Sequence, residues 1–447
     1  MTAGDPPPAS QPLVPPVEPT RPPLPGTLAS SRALREFVGT EVVGGVVLLV
    51  AAAVALVWAN SPWQGGYATL WHTELAVGVG RWHLALDLRE WVNEGLMAVF
   101  FVVVGLEVKR EFLLGELRER RKAALPVVAA LGGMVVPALI YTALNAGGAG
   151  ASGWGIPMAT DIAFALGVLA LVAPGLPGSL RLFLLTLAIV DDIGAIVVIA
   201  VFYSKGLDAR WLMAATAVLG VACVCSRRGL VYAPLYVALG AGMWLALSAA
   251  GVHATLAGVA MGLLAPAKPS LDREIVLTQT DELLDVFSPR SAQATSQLAR
   301  LSVSRLEWLQ HGLHPWSSLL VVPLFALANA GVVLTSDAMR EAVTSRVTLG
   351  VLLGLVAGKT VGITTVSWLA CRLGVAELPP GVAWRQVAGV AALGGIGFTV
   401  SLFVTNLAFA DGMVGGEAKV GILLACVAAA AAAAALLWPS RRERAGS

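Results

Sequence analysis

The sequence predicts an all-α polytopic membrane protein of about 12 transmembrane helices, and three observations predict it. The first is composition: 57% of residues are hydrophobic, 13% are charged, and the mean hydropathy is +0.77. A soluble domain carries about 25% charge and about 45–50% apolar residues. So little charge cannot cover a 447-residue globule with a wettable surface, and a chain this apolar is not disordered over most of its length. The second is rhythm: apolar runs of about 15–25 residues alternate with short polar breaks, and around 20 helical residues cross the hydrocarbon. The third is positive charge. With the N-terminus in the cytoplasm, 22 of the 30 Lys and Arg residues fall inside and 7 outside, as the positive-inside rule expects; the remaining one, Lys359, lies within a span.

In chain order, residues 1–33 are expected to form a disordered cytoplasmic tail. Its core, PPPASQPLVPPVEPTRPPLPG, lacks the apolar run and cleavage pattern of a signal peptide. Residues 34–440 form the membrane domain. Its expected spans are 40–60, 91–112, 123–144, 156–173, 181–203, 210–226, 229–249, 252–265, 315–334, 347–371, 385–410 and 419–438, the eighth being short. Within the outer loop 62–90, residues 75–90 alternate (His83-Leu84-Ala85-Leu86-Asp87-Leu88) after a Gly-containing turn. This predicts a β-hairpin, and because an isolated hairpin is marginal in water it is suited to pairing with a second subunit. The long cytoplasmic loop 267–314, with Asp281-Glu282-Leu283-Leu284-Asp285, is expected to be a solvated linker, and residues 441–447 a cytoplasmic C-terminal tail. Cys223, Cys225, Cys371 and Cys426 all stand in apolar runs and are expected to be small apolar filler. A net charge of +2 with no basic stripe argues against nucleic acid as a partner.

Four charges stand where lipid should be: Asp161, Asp191, Asp192 and Lys359. Each costs roughly 2.5–3.5 kcal/mol at mid-membrane, comparable in sum to the stability of a whole domain. Such residues must be paired, hydrated or functional. The fifth span, between Arg181 and Tyr203, centres on Asp192, and the tenth, between Arg346 and Arg372, centres on Lys359. A shared depth permits an ion pair. Asp191 and Asp192 are about 100° apart on a helix, so one can pair with Lys359 while the other faces a cavity. Carboxylate oxygens are hard ligands suited to Na⁺, Li⁺ or a proton, so the expected chemistry is exchange of a proton for a cation. The fourth span reads Gly155-Ile156-Pro157-Met158-Ala159-Thr160-Asp161 and the eleventh Gly394-Gly395-Ile396-Gly397-Phe398-Thr399. Pro removes a helical hydrogen bond and clustered Gly weakens a helix, so both spans are expected to be interrupted. One interrupted helix per half points to a midplane site built from half-helix ends. There Asp161 offsets positive half-helix ends and Lys359 the negative ones.

The segments Ala159-Thr160-Asp161-Ile162-Ala163-Phe164-Ala165-Leu166-Gly167 and Ala188-Ile189-Val190-Asp191-Asp192-Ile193-Gly194-Ala195 closely resemble the hallmarks of NhaA-type Na⁺/H⁺ antiporters. So do Asn93-Glu94-Gly95-Leu96-Met97-Ala98-Val99-Phe100-Phe101, Gly105-Leu106-Glu107-Val108-Lys109-Arg110-Glu111, Gly251-Val252-His253-Ala254-Thr255-Leu256-Ala257-Gly258, His314-Pro315-Trp316, Pro323-Leu324-Phe325-Ala326-Leu327-Ala328-Asn329-Ala330-Gly331, Gly358-Lys359 and the Gly394–Thr399 run. The resemblance runs in order from about residue 36 to 438, and this family is itself a type example of inverted-repeat transporters. It implies interrupted helices four and eleven that cross, with Asp192 as the carboxylate that takes cation or proton and Asp191 pairing with Lys359. Thr160 and Asp161 would stand at the crossing. Glu107, Glu111, Glu307 and His314 would form a cytoplasmic pH-sensing cluster, and the hairpin would be a homodimer contact. His253 is a further candidate pH sensor. The sequence departs from the family at Glu94, where Asp is frequent, and at Trp308, where relatives can carry His.

The function this implies is electrogenic, pH-regulated Na⁺(Li⁺)/H⁺ antiport by alternating access in the bacterial inner membrane, with both termini cytoplasmic. It is transport and not enzymology: no phosphate-cradling Gly-rich loop with Lys and Ser/Thr is present, and no cofactor is expected beyond the transported ions and the lipid bilayer. The alternatives are a proton-coupled symporter of an organic solute, which needs a roomier polar cavity, and a cation channel, which has no use for a central Lys.

Overall fold

The computed structural model describes residues 26–79, 82–173, 175–204, 206–230, 232–266, 304–335, 340, 344–379, 381–409 and 412–445. The chain divides into two units, 1–39 and 40–447. In the first, the described residues 26–39 are helical. Residues 1–25 of the expected tail and 267–303 of the expected linker lie outside the described residues. The second unit carries every candidate membrane span among the described residues.

Helix α1 covers Gly26–Ala59 and α2 Gln64–Trp71. Strands β1 (Glu74–Val79) and β2 (Trp82–Asp87) pair antiparallel, with Leu75 opposite Leu86 and Val77 opposite Leu84. The expected alternation falls in β2 as far as Asp87, where it is stopped by a capping box: Asp87 accepts from Glu90 N at 2.7 Å and Glu90 accepts from Asp87 N at 3.2 Å. There α3 (Leu88–Leu114) begins, followed by α4 (Arg120–Asn145), a 3₁₀ helix (Ala151–Met158), α5 (Ile162–Val172), α6 (Gly178–Phe202), α7 (Ala209–Arg227), α8 (Ala233–Ala249) and α9 (Leu256–Leu264). The remainder comprises α10 (Arg305–Trp316), α11 (Val322–Asn329), α12 (Arg346–Arg372), α13 (Trp384–Gly394), α14 (Phe398–Ala408) and α15 (Met413–Ala445).

Among the described residues, 7 helices are long and apolar enough to cross a membrane, or up to 9 if each bent pair counts as one span. The bent pairs are the 3₁₀ helix with α5 (48°) and α13 with α14 (44°), at the two places where Pro157 and the Gly394–Gly397 cluster predict a break. The other three expected spans coincide with shorter pieces. Helix α8 has 17 residues and α9 has 9, while α10 and α11 are joined through a π-helical turn, Ser317–Val321. Two more π-helical turns, Trp91–Leu96 and Gly354–Gly358, lie inside α3 and α12. No hydrophobic periodicity announces these turns.

The exposed surface is apolar where that of a water-soluble domain would be polar, and a few charges lie inside. Val43, Val50 and Val57 of α1 and Val197 and Val201 of α6 are exposed, whereas Asp191 and Lys359 are fully buried. Lipid explains both. Interhelical contacts are made through small residues. Gly362 of α12 sits so close to the Gly132 carbonyl of α4 that a Cβ there would collide with backbone. This close approach holds the stretch carrying Lys359 against α4.

Candidate cation site at two helix breaks

The two breaks bind each other. Asp161 N donates to the Ile396 carbonyl (2.7 Å), and Thr160 Oγ1 lies 2.8 Å from the Gly394 carbonyl at the C-terminal end of α13. Asp161 caps α5 by accepting from Phe164 N through Oδ1 (3.0 Å). Its Oδ2 accepts from both Thr399 N (3.1 Å) and Thr399 Oγ1 (2.7 Å) at the start of α14. One carboxylate therefore serves two helix N-termini, where backbone N–H groups and the helix dipole favour negative charge.

Beside the crossing, Lys359 Nζ forms an ion pair with Asp191 Oδ2 and donates to Thr160 Oγ1 (3.1 Å). The Thr160 hydroxyl lies within bonding distance of both Asp191 Oδ2 (2.7 Å) and the Gly394 carbonyl. It has a single proton and can serve only one acceptor at a time. The Lys359 ammonium follows directly on the π turn Gly354–Gly358, so this irregularity sets its direction.

Asp192 has a different environment. It lines a cavity of about 60 Å³ together with Thr160, Asp161, Glu107, His314, Ser317 and Ser318. Its Oδ1 is buried and makes no hydrogen bond among the described residues. The neighbours Asp191 and Asp192 are thus split as helical geometry requires, one tied to Lys359 and the other facing a space large enough for a cation and water.

The other expected residues separate into groups. Glu107 and His314 line the cavity with Asp192. Glu111, one turn further along α3, accepts from Glu116 N (2.8 Å) and Thr186 Oγ1 (3.4 Å). Glu307 closes the N-terminus of α10, accepting from Ser304 N (3.2 Å) and Ser304 Oγ (3.0 Å). His253 is not in this group: its Nε2 lies 3.0 Å from the Tyr203 carbonyl and its Nδ1 3.8 Å from Glu94 Oε1.

The order, spacing and side-chain chemistry of these residues can be set against known proteins. The family described as Na⁺/H⁺ antiporter 1 matches residues 35–437. The chain belongs to this family. A Na⁺/H⁺ antiporter NhaA 2 of Sorangium cellulosum is 46% identical over 404 residues, 88% of this chain and 86% of that protein. A Na⁺/H⁺ antiporter NhaA of Rhodopirellula baltica is 44% identical over 419 residues, 91% and 94%. A third relative, from Syntrophotalea carbinolica, is 46% identical over 408 residues, 88% and 93%.

Some residues around this candidate site had no role assigned to them from the sequence, although Asn93 and Asn329 stand in segments that carry the family resemblance. Thr399 was visible only as part of a glycine cluster, yet it holds Asp161. Asn329 donates to Asn93 Oδ1 (2.7 Å) and accepts from Asn406 (2.8 Å), joining α3, α11 and α14. Asn406 could have been singled out as an amide inside an apolar run.

Proposed function

We propose that this chain is a Na⁺(Li⁺)/H⁺ antiporter that extrudes sodium in exchange for external protons. The observation that carries this reading is the asymmetry of the aspartates: Lys359 pairs with Asp191, while Asp192, whose Oδ1 is buried without a partner, lines a cavity. A dehydrated monovalent cation or a proton can satisfy that oxygen, and both cannot do so together. Competition for one carboxylate couples the two flows. Alternating access follows if the paired breaks at 159–161 and 395–397 shift, exposing Asp192 to one side and then the other. With more than one titrating group in the cycle, more than one proton per Na⁺ moves and turnover is electrogenic.

The topology of this proposal has 12 spans in inverted repeats, with the bent pairs as crossing interrupted helices, both termini in the cytoplasm and a bacterial inner membrane as the site. Glu107 and His314 on the cavity wall are the groups best placed to make cation entry respond to pH. Glu111 and Glu307 act in support, and His253 with Glu94 forms a separate cluster. The β1–β2 hairpin is the homodimer contact. No cofactor takes part.

Everted vesicles with a pH-sensitive dye test this. Adding Na⁺ or Li⁺ should dissipate an acid-inside gradient, and Asp192→Asn should abolish the response. A response to K⁺ or to an organic solute but not to Na⁺ would overturn the proposal.

A further inference from the structure

Most polar groups around the Asp192 cavity are already committed. Asp161 accepts from Phe164 and from both the N–H and the hydroxyl of Thr399. The Thr160 hydroxyl is shared between Asp191 and the Gly394 carbonyl. Ser318 Oγ donates to the His314 carbonyl at 2.8 Å, the usual way a helical Ser disposes of its proton. Glu107 and His314 have interactions of their own. Two oxygens remain. Asp192 Oδ1 is buried without a partner, and Ser317 Oγ makes no hydrogen bond among the described residues although Ser317 is only 3% exposed. Both residues line the same cavity.

Ser317 faces this cavity for a backbone reason. Pro315 stands inside α10, and the helix continues through the π turn Ser317–Val321 before α11. Such a turn carries an extra residue per hydrogen-bonded ring and re-aims the side chains within it. The Ser317 hydroxyl, on a residue only 3% exposed, is left to whatever occupies the cavity.

We propose that Ser317 Oγ is a ligand of the transported cation, completing with Asp192 a site for a hard monovalent ion such as Na⁺ or Li⁺. The inference rests on the antiport reading above and deepens it by naming a second oxygen donor, on an element other than α6. A neutral hydroxyl is a suitable second ligand. It adds a hard oxygen without a second negative charge, so the cation is held but can leave.

The test is antiport in proteoliposomes at fixed alkaline pH, with apparent KM and maximal rate for Na⁺ and Li⁺, alongside equilibrium binding of radioactive Na⁺ to the purified protein. Ser317→Ala should raise KM and weaken Na⁺ binding by about threefold to tenfold while the maximal rate stays within about twofold. Ser317→Thr, which restores the oxygen, should return both towards the parent values. If Ser317→Ala does not fold, the nearly isosteric Ser317→Cys removes the hard oxygen and should give the same KM rise. Unchanged KM and binding in a folded Ser317→Ala or Ser317→Cys protein, or a fall in rate at unchanged KM, would overturn the ligand role while leaving antiport intact. Failure of the parent protein to exchange Na⁺ at all would instead remove the antiport reading, and this inference with it.

Discussion

Thr399 gives both its backbone N–H (3.1 Å) and its hydroxyl (2.7 Å) to a single oxygen of Asp161, although the two residues are 238 positions apart. This contact joins the α14 N-terminus to the α5 N-terminus across the two breaks. Hydrogen bonds to charged groups contribute about 1.5–3 kcal/mol each. Asp161→Asn keeps the size but loses the charge that both helix ends favour. It should lower the melting temperature of the detergent-purified protein and slow antiport. Thr399→Val, which removes only the hydroxyl, should show a smaller effect in the same direction. Equal melting of Asp161→Asn and parent would refute the contact's importance.

The ion pair between Lys359 and Asp191 should behave as a unit. Removing one partner of a buried pair costs about 3–5 kcal/mol, because the other charge is left uncompensated. Lys359→Ala and Asp191→Asn should each destabilise the protein, and the double variant should lose clearly less than the sum of the two. Additive losses in thermal melts would show that the pair is not energetically coupled.

Glu107 and Glu307 should be distinguishable by pH profile. Glu107 shares the cavity wall with Asp192, so Glu107→Gln should displace the pH dependence of Na⁺/H⁺ exchange. Glu307 accepts from the backbone and hydroxyl of Ser304, a task an amide oxygen can perform. Glu307→Gln should therefore leave the profile close to that of the parent, whereas Glu307→Ala should cost about 1 kcal/mol of helix stability. A displaced profile in Glu307→Gln would assign Glu307 a titrating role.

Much of this site was legible in the sequence. Asp191, Asp192 and Lys359 stand out because charges at mid-membrane demand a reason, and the two breaks because Pro and clustered Gly weaken helices. The opposite fates of Asp191 and Asp192 follow from a 100° step. The π turns were not legible. Gly354–Gly358 and Ser317–Val321 differ from ordinary helix only in hydrogen-bond register, which side-chain chemistry does not encode. For the same reason Ser317 looks like any other small residue. Helix α9 was the weakest expected span, and it is indeed short, because Gly251–Thr255 is spent on turns.

Tyr67 of α2, outside the candidate membrane spans, should make its loop sensitive to alkali. Its hydroxyl donates to the Leu327 carbonyl (2.8 Å), and burial pushes the phenol above its ordinary value of 10.0, more than the nearby Arg89 guanidinium lowers it. A raised value in the folded state means that the contribution is complete below pH 10.0 and is lost as pH rises through the folded value. Tyr67→Phe should cost about 1 kcal/mol at neutral pH and flatten the loss of stability above pH 10.0. An alkaline melting curve of unchanged steepness in Tyr67→Phe would count against it.

The π turn at Gly354–Gly358 amounts to one surplus residue stored in α12 immediately ahead of Lys359. Excising that residue, for example Val356, would let the ladder close as a regular α-helix, an improvement by any local criterion. It would also re-aim the ammonium relative to everything upstream and disturb its contacts with Asp191 and Thr160. A shorter and better-formed helix would then be a worse protein, and a single-codon deletion, conservative in composition, would do more harm there than most substitutions.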